Sequence, residues 1–421
     1  MDTSVKEEIY FDGFSDWFIH ATPLEPLWKN QPSYLIAQGS YLLGGVFTLI
    51  HALRGGGRLR YLWLATILHG LAVESICYVL PDVDNFWHSQ TPLMFFGRRL
   101  PLHIILLYPC FIYQASIAAA QLRLSKWAEP FAVGLLVVLI DVPYDITSVK
   151  FVHWSWHDTD PNIADRHYWV PWNSYYFHLT FAASFAFWFH SIRRWLAPQI
   201  PKWQSSSIGI EVVSMVLASI LGPLGGVLLF VPIYHPLHDM FHIHSEVTFF
   251  ILLTFSVLLV WSEDRTLNRL ESDSIRLRWR WLPLVALIVH YSVYMGLVIW
   301  GQPEREVSVG LHEPVGPCSV TRPVQTILGV LKKKEFLCAV DYDEAYFDFH
   351  CVHGGHPKGK AKWYTICGTP FDNRAEYITV VSTITLLALG IFWNIYFNTA
   401  KHQIHSLQET KSISTKKQKF Q

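Results

Sequence analysis

The residues best suited to chemistry concentrate in one stretch, Asp141 to His178, DVPYDITSVKFVHWSWHDTDPNIADRHYWVPWNSYYFH. The stretch leaves an apolar run, FAVGLLVVLI, through Pro143 and two carboxylates. It then crosses a loop of Trp, His and Asp and re-enters an apolar run at Trp169. Asp141 and Asp145 are one helical turn apart, so a helix carries both on one face. Ionisable groups at the edge of a hydrocarbon-length segment are costly there and read as functional. An interfacial aromatic belt would account for the tryptophans, but it leaves the carboxylate pair unexplained.

A second cluster is HPLHDMFHIHSE. His238, His242 and Glu246 are spaced i, i+4, i+8, so a continuous helix would line them up on one stripe, with His235 a turn earlier. Two histidines at that spacing with a carboxylate beyond form a plausible ligand set for Zn or non-haem iron. The chain lacks H-E-x-x-H and lacks the repeated H-x-x-H-H boxes of membrane di-iron enzymes. Interfacial histidines packed among Tyr and Trp are the plainer reading. A third set, His69, Glu74, His103, Asp141 and His178, lies inside apolar runs; Glu74, His103, Asp141 and Asp145 fall in the outer halves of their spans, which favours one shared cavity.

The elements that must position these groups are long and apolar. Of 421 residues, 51% are hydrophobic and 15% aromatic, only 16% are charged, and the formal net charge is +0. The balanced charge gives no field that would draw nucleic acid. Apolar runs near hydrocarbon length predict an all-α, polytopic transmembrane bundle of about nine spans. The expected division is an outer segment over 1–33, an eight-span core over 34–301, a cysteine-containing loop over 302–376, a ninth span over 377–398 and a basic tail over 399–421. The opening MDTSVKEEIYFDGFSDWF is acidic and mixed, so no cleaved signal peptide is expected.

Basic residues crowd one set of connections: Arg54, Arg58 and Arg60; Arg123 and Lys126; Arg193, Arg194 and Lys202; Arg265, Arg269, Arg276, Arg278 and Arg280; and the tail. The opposite short segments hold Lys6, Lys29, Arg98, Arg99, Lys150 and Arg166. By the positive-inside rule the amino terminus is outside and the carboxyl end cytosolic. The polar aromatic loops then gather on the outer, lumenal face. Four of the six cysteines, Cys318, Cys338, Cys351 and Cys367, lie in the 302–376 loop. They read as two disulfides with the pairing open, or in part as a zinc site with His353 and His356. The tail ends Lys417-Gln-Lys419-Phe-Gln, the pattern of a dilysine signal that returns membrane proteins to the endoplasmic reticulum.

Several of these residues also carry a family resemblance. Glu74 lies in an apolar span and Arg99-Leu-Pro101-Leu opens the next; Asp141-Val-Pro143, Trp154-Ser-Trp156 and Tyr168-Trp-Val-Pro171-Trp-Asn173 follow. Over Leu62 to His190 this order resembles the bacterial and archaeal carotenoid hydratases, which add water to a terminal double bond of an acyclic polyene. Val170 stands where that family has Gly, and the Asp–Pro order differs. The resemblance implies a lyase that makes a carbocation with a protonated carboxyl and delivers water to it. Asp141 or Glu74 would be the acid and Asp145 the water-orienting group. Trp154, Trp156, His157, Trp172, Asn173 and His178 would line the substrate site. The expected partner is a membrane lipid, isoprenoid or other. Two further readings are a metal-dependent lipid oxidase or hydrolase built on His235, His238, His242 and Glu246, and a non-catalytic receptor or transporter-like protein whose 302–376 loop binds a lumenal partner.

Overall fold

The computed structural model describes residues 9–122, 124–157, 160–264, 279–326, 328–338, 345–357 and 359–398. The arginine-rich connection after Asp264 and the Lys417–Lys419 signal therefore lie outside the described residues. Among the described residues nine long helices form the body: α1 Pro32–Gly55, α2 Leu59–Val79, α3 Leu102–Ala119, α4 Ala128–Lys150, α5 Trp172–Leu196, α6 Ile208–Tyr234, α7 Ser245–Asp264, α8 Trp281–Trp300 and α9 Arg374–Trp393. Eight of them, all but α5, are long and apolar enough to cross a membrane.

The sequence-based count of about nine spans differs at α5, which has 25 residues but too many polar ones to meet the hydropathy of a lipid-facing span. Its Asn173, Ser174, Tyr175, Tyr176, Thr180 and Ser184 are buried. The helix packs between α4 and α6, and a helix enclosed by other helices need not be apolar all round.

Proline and glycine set the local shape. Pro32 opens α1, where its missing N–H costs nothing, and Gly56 closes it with φ +64. Pro109 within α3 coincides with a π turn over Pro109–Tyr113. In α4, Pro143 cannot donate to the carbonyl of Leu139. That carbonyl accepts instead from Tyr291 Oη of α8 at 3.0 Å, and the carbonyl of Ile140 accepts from His290 Nε2 at 2.9 Å. A neighbouring helix thus repairs the break, which is what lets a proline sit deep in an apolar bundle. Gly226 of α6 packs where a Cβ would fall 2.2 Å from the Phe181 ring, so α5 and α6 approach closely there.

The expectation of an all-α chain is too coarse: the fold is mostly helical, with small sheets at the helix ends. Ile19–Ala21 pairs with Leu93–Phe95, and Phe86–His88 with Trp154–Trp156. The described residues of 302–373 form a β-rich cap. Its strands Val307–Leu311, Trp363–Gly368 and Phe347–Asp348 make one sheet, and Thr321–Thr326 with Gly329–Lys334 makes a hairpin. Strand pairing satisfies backbone N–H and C=O groups that the connections would otherwise bury unpaired. Disulfides Cys318–Cys338 and Cys351–Cys367 select one of the three pairings the sequence leaves open, and they remove both cysteines from the alternative zinc site.

The cap is stitched to the helical body by polar contacts. Gln90 N donates to Val309 O at 3.0 Å, Trp156 N donates to Tyr346 Oη at 3.0 Å, and Ser155 Oγ meets His312 Nδ1 at 2.9 Å. Lys333 and Asp160, both fully buried, pair at 2.7 Å.

Candidate functional site

A cavity of about 600 Å³ opens between α2, α3, α4, α5 and α6 at the end of the bundle that carries the cap. Its wall is largely apolar, with Leu107, Phe111, Phe177 and Phe181 among the contributors. Gln325 and Thr326, at the hairpin end of the cap, reach its mouth. Leu80 and Leu224 also line it, and both are exposed on the outer surface of the helices, at 49% and 55%. The cavity therefore has an apolar edge on the flank of the bundle.

Two polar groups contribute to this wall. On α2, Glu74 is held by two phenols: Tyr78 Oη donates to Oε2 at 2.9 Å and Tyr108 Oη to Oε1 at 2.8 Å. Tyr78 lies one turn along the same helix and Tyr108 comes from α3. Helices α4 and α5 bring together Asp141, Asp145 and His178. His178 Nε2 lies 3.1 Å from Asp141 Oδ1, and Ser174 Oγ donates to Asp145 Oδ2 at 2.7 Å. One ligand atom from each of the three side chains falls within 4.8 Å of the others. Asp141 and Asp145 flank Pro143, so the repaired break in α4 fixes their common face. Aromatic rings back the site: Tyr144 packs at 4.9 Å from Trp154 and 5.4 Å from Tyr41.

Outside the helices, Asp82 at the rim is held above the usual carboxylate range, first by burial and then by the negative charge of Asp160. Asn162 Nδ2 donates to it at 3.4 Å. His88, also lining the cavity, is pushed down to about 3 by burial with the Arg99 charge adding to it, and so is neutral. Such groups offer hydrogen bonds without bringing net positive charge.

Of the residues singled out in the sequence, Glu74, Asp145, Trp154, Trp156, Asn173 and His178 line the cavity, and Asp141 sits directly behind His178. Two expected wall residues do not. Trp172 packs on His167 and Phe249, with ring centroids 4.8 and 5.9 Å away, and His157 turns to the cap, where Nε2 meets Glu313 Oε1 at 3.1 Å.

The proposed metal stripe is not formed. The chain runs as a π turn over His235–Met240, breaks through His242 at φ +55, and starts α7 only at Ser245. His235 meets Asp239, while His238 meets Asp239 and Asp165; His242 and Glu246 are exposed. Pro236 and the missing continuity of the helix are the physical reason, since i, i+4, i+8 is one stripe only in an unbroken helix. Among the described residues the other tight group of potential ligands is Asp348, His350 and Cys367, and Cys367 is already bonded to Cys351.

Sequence reasoning missed Tyr108, Ser174, His290 and Tyr291. No local signal ties them to the site, because each arrives from another helix. Tyr78 was within reach, being four residues from Glu74 on the same face.

No curated protein and no solved structure matches the chain. A family described as "Domain of unknown function (DUF7802)" matches residues 5–397. With that match covering nearly its whole length, the chain belongs to this family.

Proposed function

We propose that the chain is a membrane enzyme acting on an isoprenoid or another long apolar lipid by hydratase-like acid–base chemistry. The observation that carries this reading is that Glu74 and the Asp141–Asp145–His178 group open on the same apolar cavity. A cavity of about 600 Å³ suits one end of a lipid chain, with a few convergent polar groups to do the chemistry. The clustering of Glu74, Trp154, Trp156 and Asn173 around it also supports the resemblance to the carotenoid hydratases.

In this scheme Glu74 gives its proton to one carbon of an isolated double bond, and the adjoining carbon becomes a carbocation. Water adds its oxygen there and passes its proton to Asp145, whose orientation Ser174 fixes. Proton exchange with solvent at the cavity mouth returns both carboxyls to their starting states. Trp154 and Trp156 supply ring faces for the cation. The amino terminus would lie outside and the cap in the lumen of the endoplasmic reticulum, a placement supported by the crowding of basic residues and by the tail signal. The two disulfides suit an oxidising compartment.

The test is untargeted lipid analysis of cells lacking the protein and complemented with variants. Wild type should restore a lipid heavier by one water than its accumulated precursor, while Glu74→Gln and Asp145→Asn should express normally and fail to restore it. Full rescue by both variants would overturn the scheme and favour a non-catalytic lipid receptor.

A further inference from the structure

Asp141 and Asp145 are 0% and 3% exposed. Two carboxylates so placed need a counter-charge, because burying even one ion unpaired is very costly. Among the described residues no Lys or Arg lies within ion-pair distance of either; the ion-pair partner is His178 and the hydrogen-bond donor Ser174. The nearest lysine in sequence, Lys150, donates instead to Thr369 Oγ1 of the cap at 3.0 Å. The Asp141 carboxyl is enclosed with those of its cluster, hydrogen-bonded to Asp145 and close to His178. Either protons or a metal ion must balance the pair.

We infer that Asp141, Asp145 and His178 form a site for a divalent metal ion of the Zn²⁺ or Mn²⁺ class. The donor set is two carboxylate oxygens and one imidazole nitrogen, which mixes hard and borderline ligands and suits those ions. Ligands around one such ion stand about 3–3.5 Å apart when each bond is about 2.1 Å. His178 Nε2 and Asp141 Oδ1 are already 3.1 Å apart, and all three ligand atoms lie within 4.8 Å. Three protein ligands with the remaining position open to a cavity is the arrangement of a catalytic ion rather than a structural one. Here Asp145 and His178 line the cavity, so the open position faces it. Ser174 acts as a positioning residue that fixes Asp145 through Oδ2. The inference deepens the acid–base reading by giving the water-activating side a Lewis acid, and it rests on that reading only for the use made of the ion.

The full-length protein, purified in detergent without chelator, should carry about one Zn or Mn per chain by elemental mass spectrometry. Protein stripped with a chelator should regain thermal stability on adding Zn²⁺ or Mn²⁺, and Co²⁺ should give d–d absorption bands. Asp141→Asn and His178→Gln should bind the added metal at least about tenfold more weakly, and Ser174→Ala about tenfold. A His235→Ala/His238→Ala variant should bind as wild type does, which sets aside that half-buried pair as the source. Size-exclusion profiles check that each variant is folded, and the wild-type measurements need no variant.

Wild-type protein that carries no metal and shows no shift with either ion overturns the site. So does metal that survives Asp141→Asn but leaves with the His235/His238 pair. Metal-free protein whose Asp145→Asn variant still loses the lipid product overturns this inference and leaves the acid–base reading standing. A metal-loaded protein whose Asp145→Asn variant restores the lipid profile supports the site and overturns that reading instead.

Discussion

Pro143 stands between the two carboxylates of α4, and what it removes is replaced by side chains of α8. The carbonyls of Leu139 and Ile140 are taken up by Tyr291 and His290. A hydrogen bond between helices of this kind is worth about 1 kcal/mol, and a buried carbonyl left without one costs about 1–3 kcal/mol. Tyr291→Phe should therefore lower thermal stability measurably. In a Pro143→Ala background, where residue 143 regains its N–H, the same change should cost less. Thermal unfolding of the four proteins of that cycle checks the coupling, and equal costs in both backgrounds would show that the phenol has no part in mending α4. The carboxylates themselves were legible from the sequence, because i and i+4 share a face whatever else happens. Their companions were not. Ser174 meets Asp145 only through the packing of α4 and α5, and Tyr108 meets Glu74 only through that of α2 and α3, which no local pattern encodes. In HPLHDMFHIH the same spacing argument misled, since a π turn and a left-handed His242 dissolve the stripe.

Among the elements, the cap is where the sequence was least legible. Its cysteines announced disulfides, but the pairing of Phe86–His88 with Trp154–Trp156, and the seating of 302–373 upon them, depend on contacts between segments far apart in the chain. Two groups of contacts hold the cap and can be tested separately. Lys333 and Asp160 form a fully buried pair. Removing one partner of such a pair typically costs about 3–5 kcal/mol, because the other is left charged and dry. Lys333→Met should thus expose the hairpin to limited proteolysis, and Asp160→Asn in the same chain should restore part of the protection. Should Lys333→Met leave the digestion pattern unchanged, the pair is not what seats the hairpin.

The second group titrates. Burial holds His312 and His88 down to about 3, and His157, which meets Glu313 of the cap, down to about 2, against an ordinary value of 6.5. A loosened cap binds protons below about 6.5 that the seated form refuses until about 3 or below, so these histidines favour seating fully above 6.5 and progressively less as pH falls. Glu306, raised by burial to about 7 from 4.5, works the other way: it favours the seated form at low pH and loses that contribution as pH rises from 4.5 to 7. Three histidines outweigh one carboxyl, so proteolysis of the cap should accelerate between pH 7 and pH 5. A rate that slows over that interval would reverse the sign.

At the scale of the whole molecule, the apolar runs located the helices to within a few residues, because hydrocarbon length is a strong constraint. The exception is α5, whose polar face is hidden by its neighbours and so looks less like a span than it packs. Orientation rests on charge. A tag after Gln421 should be reached by antibody when only the plasma membrane is permeabilised, and one before Met1 should not. The reverse labelling would put the cap and the cavity mouth on the cytosolic side. Lys417→Ser with Lys419→Ser should release the protein to later compartments, and unchanged reticular staining would remove the tail from the argument for retention.

The exposed flank at Leu80 and Leu224 carries a kinetic consequence. A ligand that slips in there travels in two dimensions and never dissolves in water. On the proposed lipid-enzyme reading, the protein would then respond to the mole fraction of substrate in the leaflet, not to the amount per millilitre. Diluting substrate-bearing vesicles with inert phospholipid, at constant total substrate, should slow turnover in proportion. Bulky residues at the flank, as in Leu224→Trp, should slow it at low mole fraction and spare it near saturation.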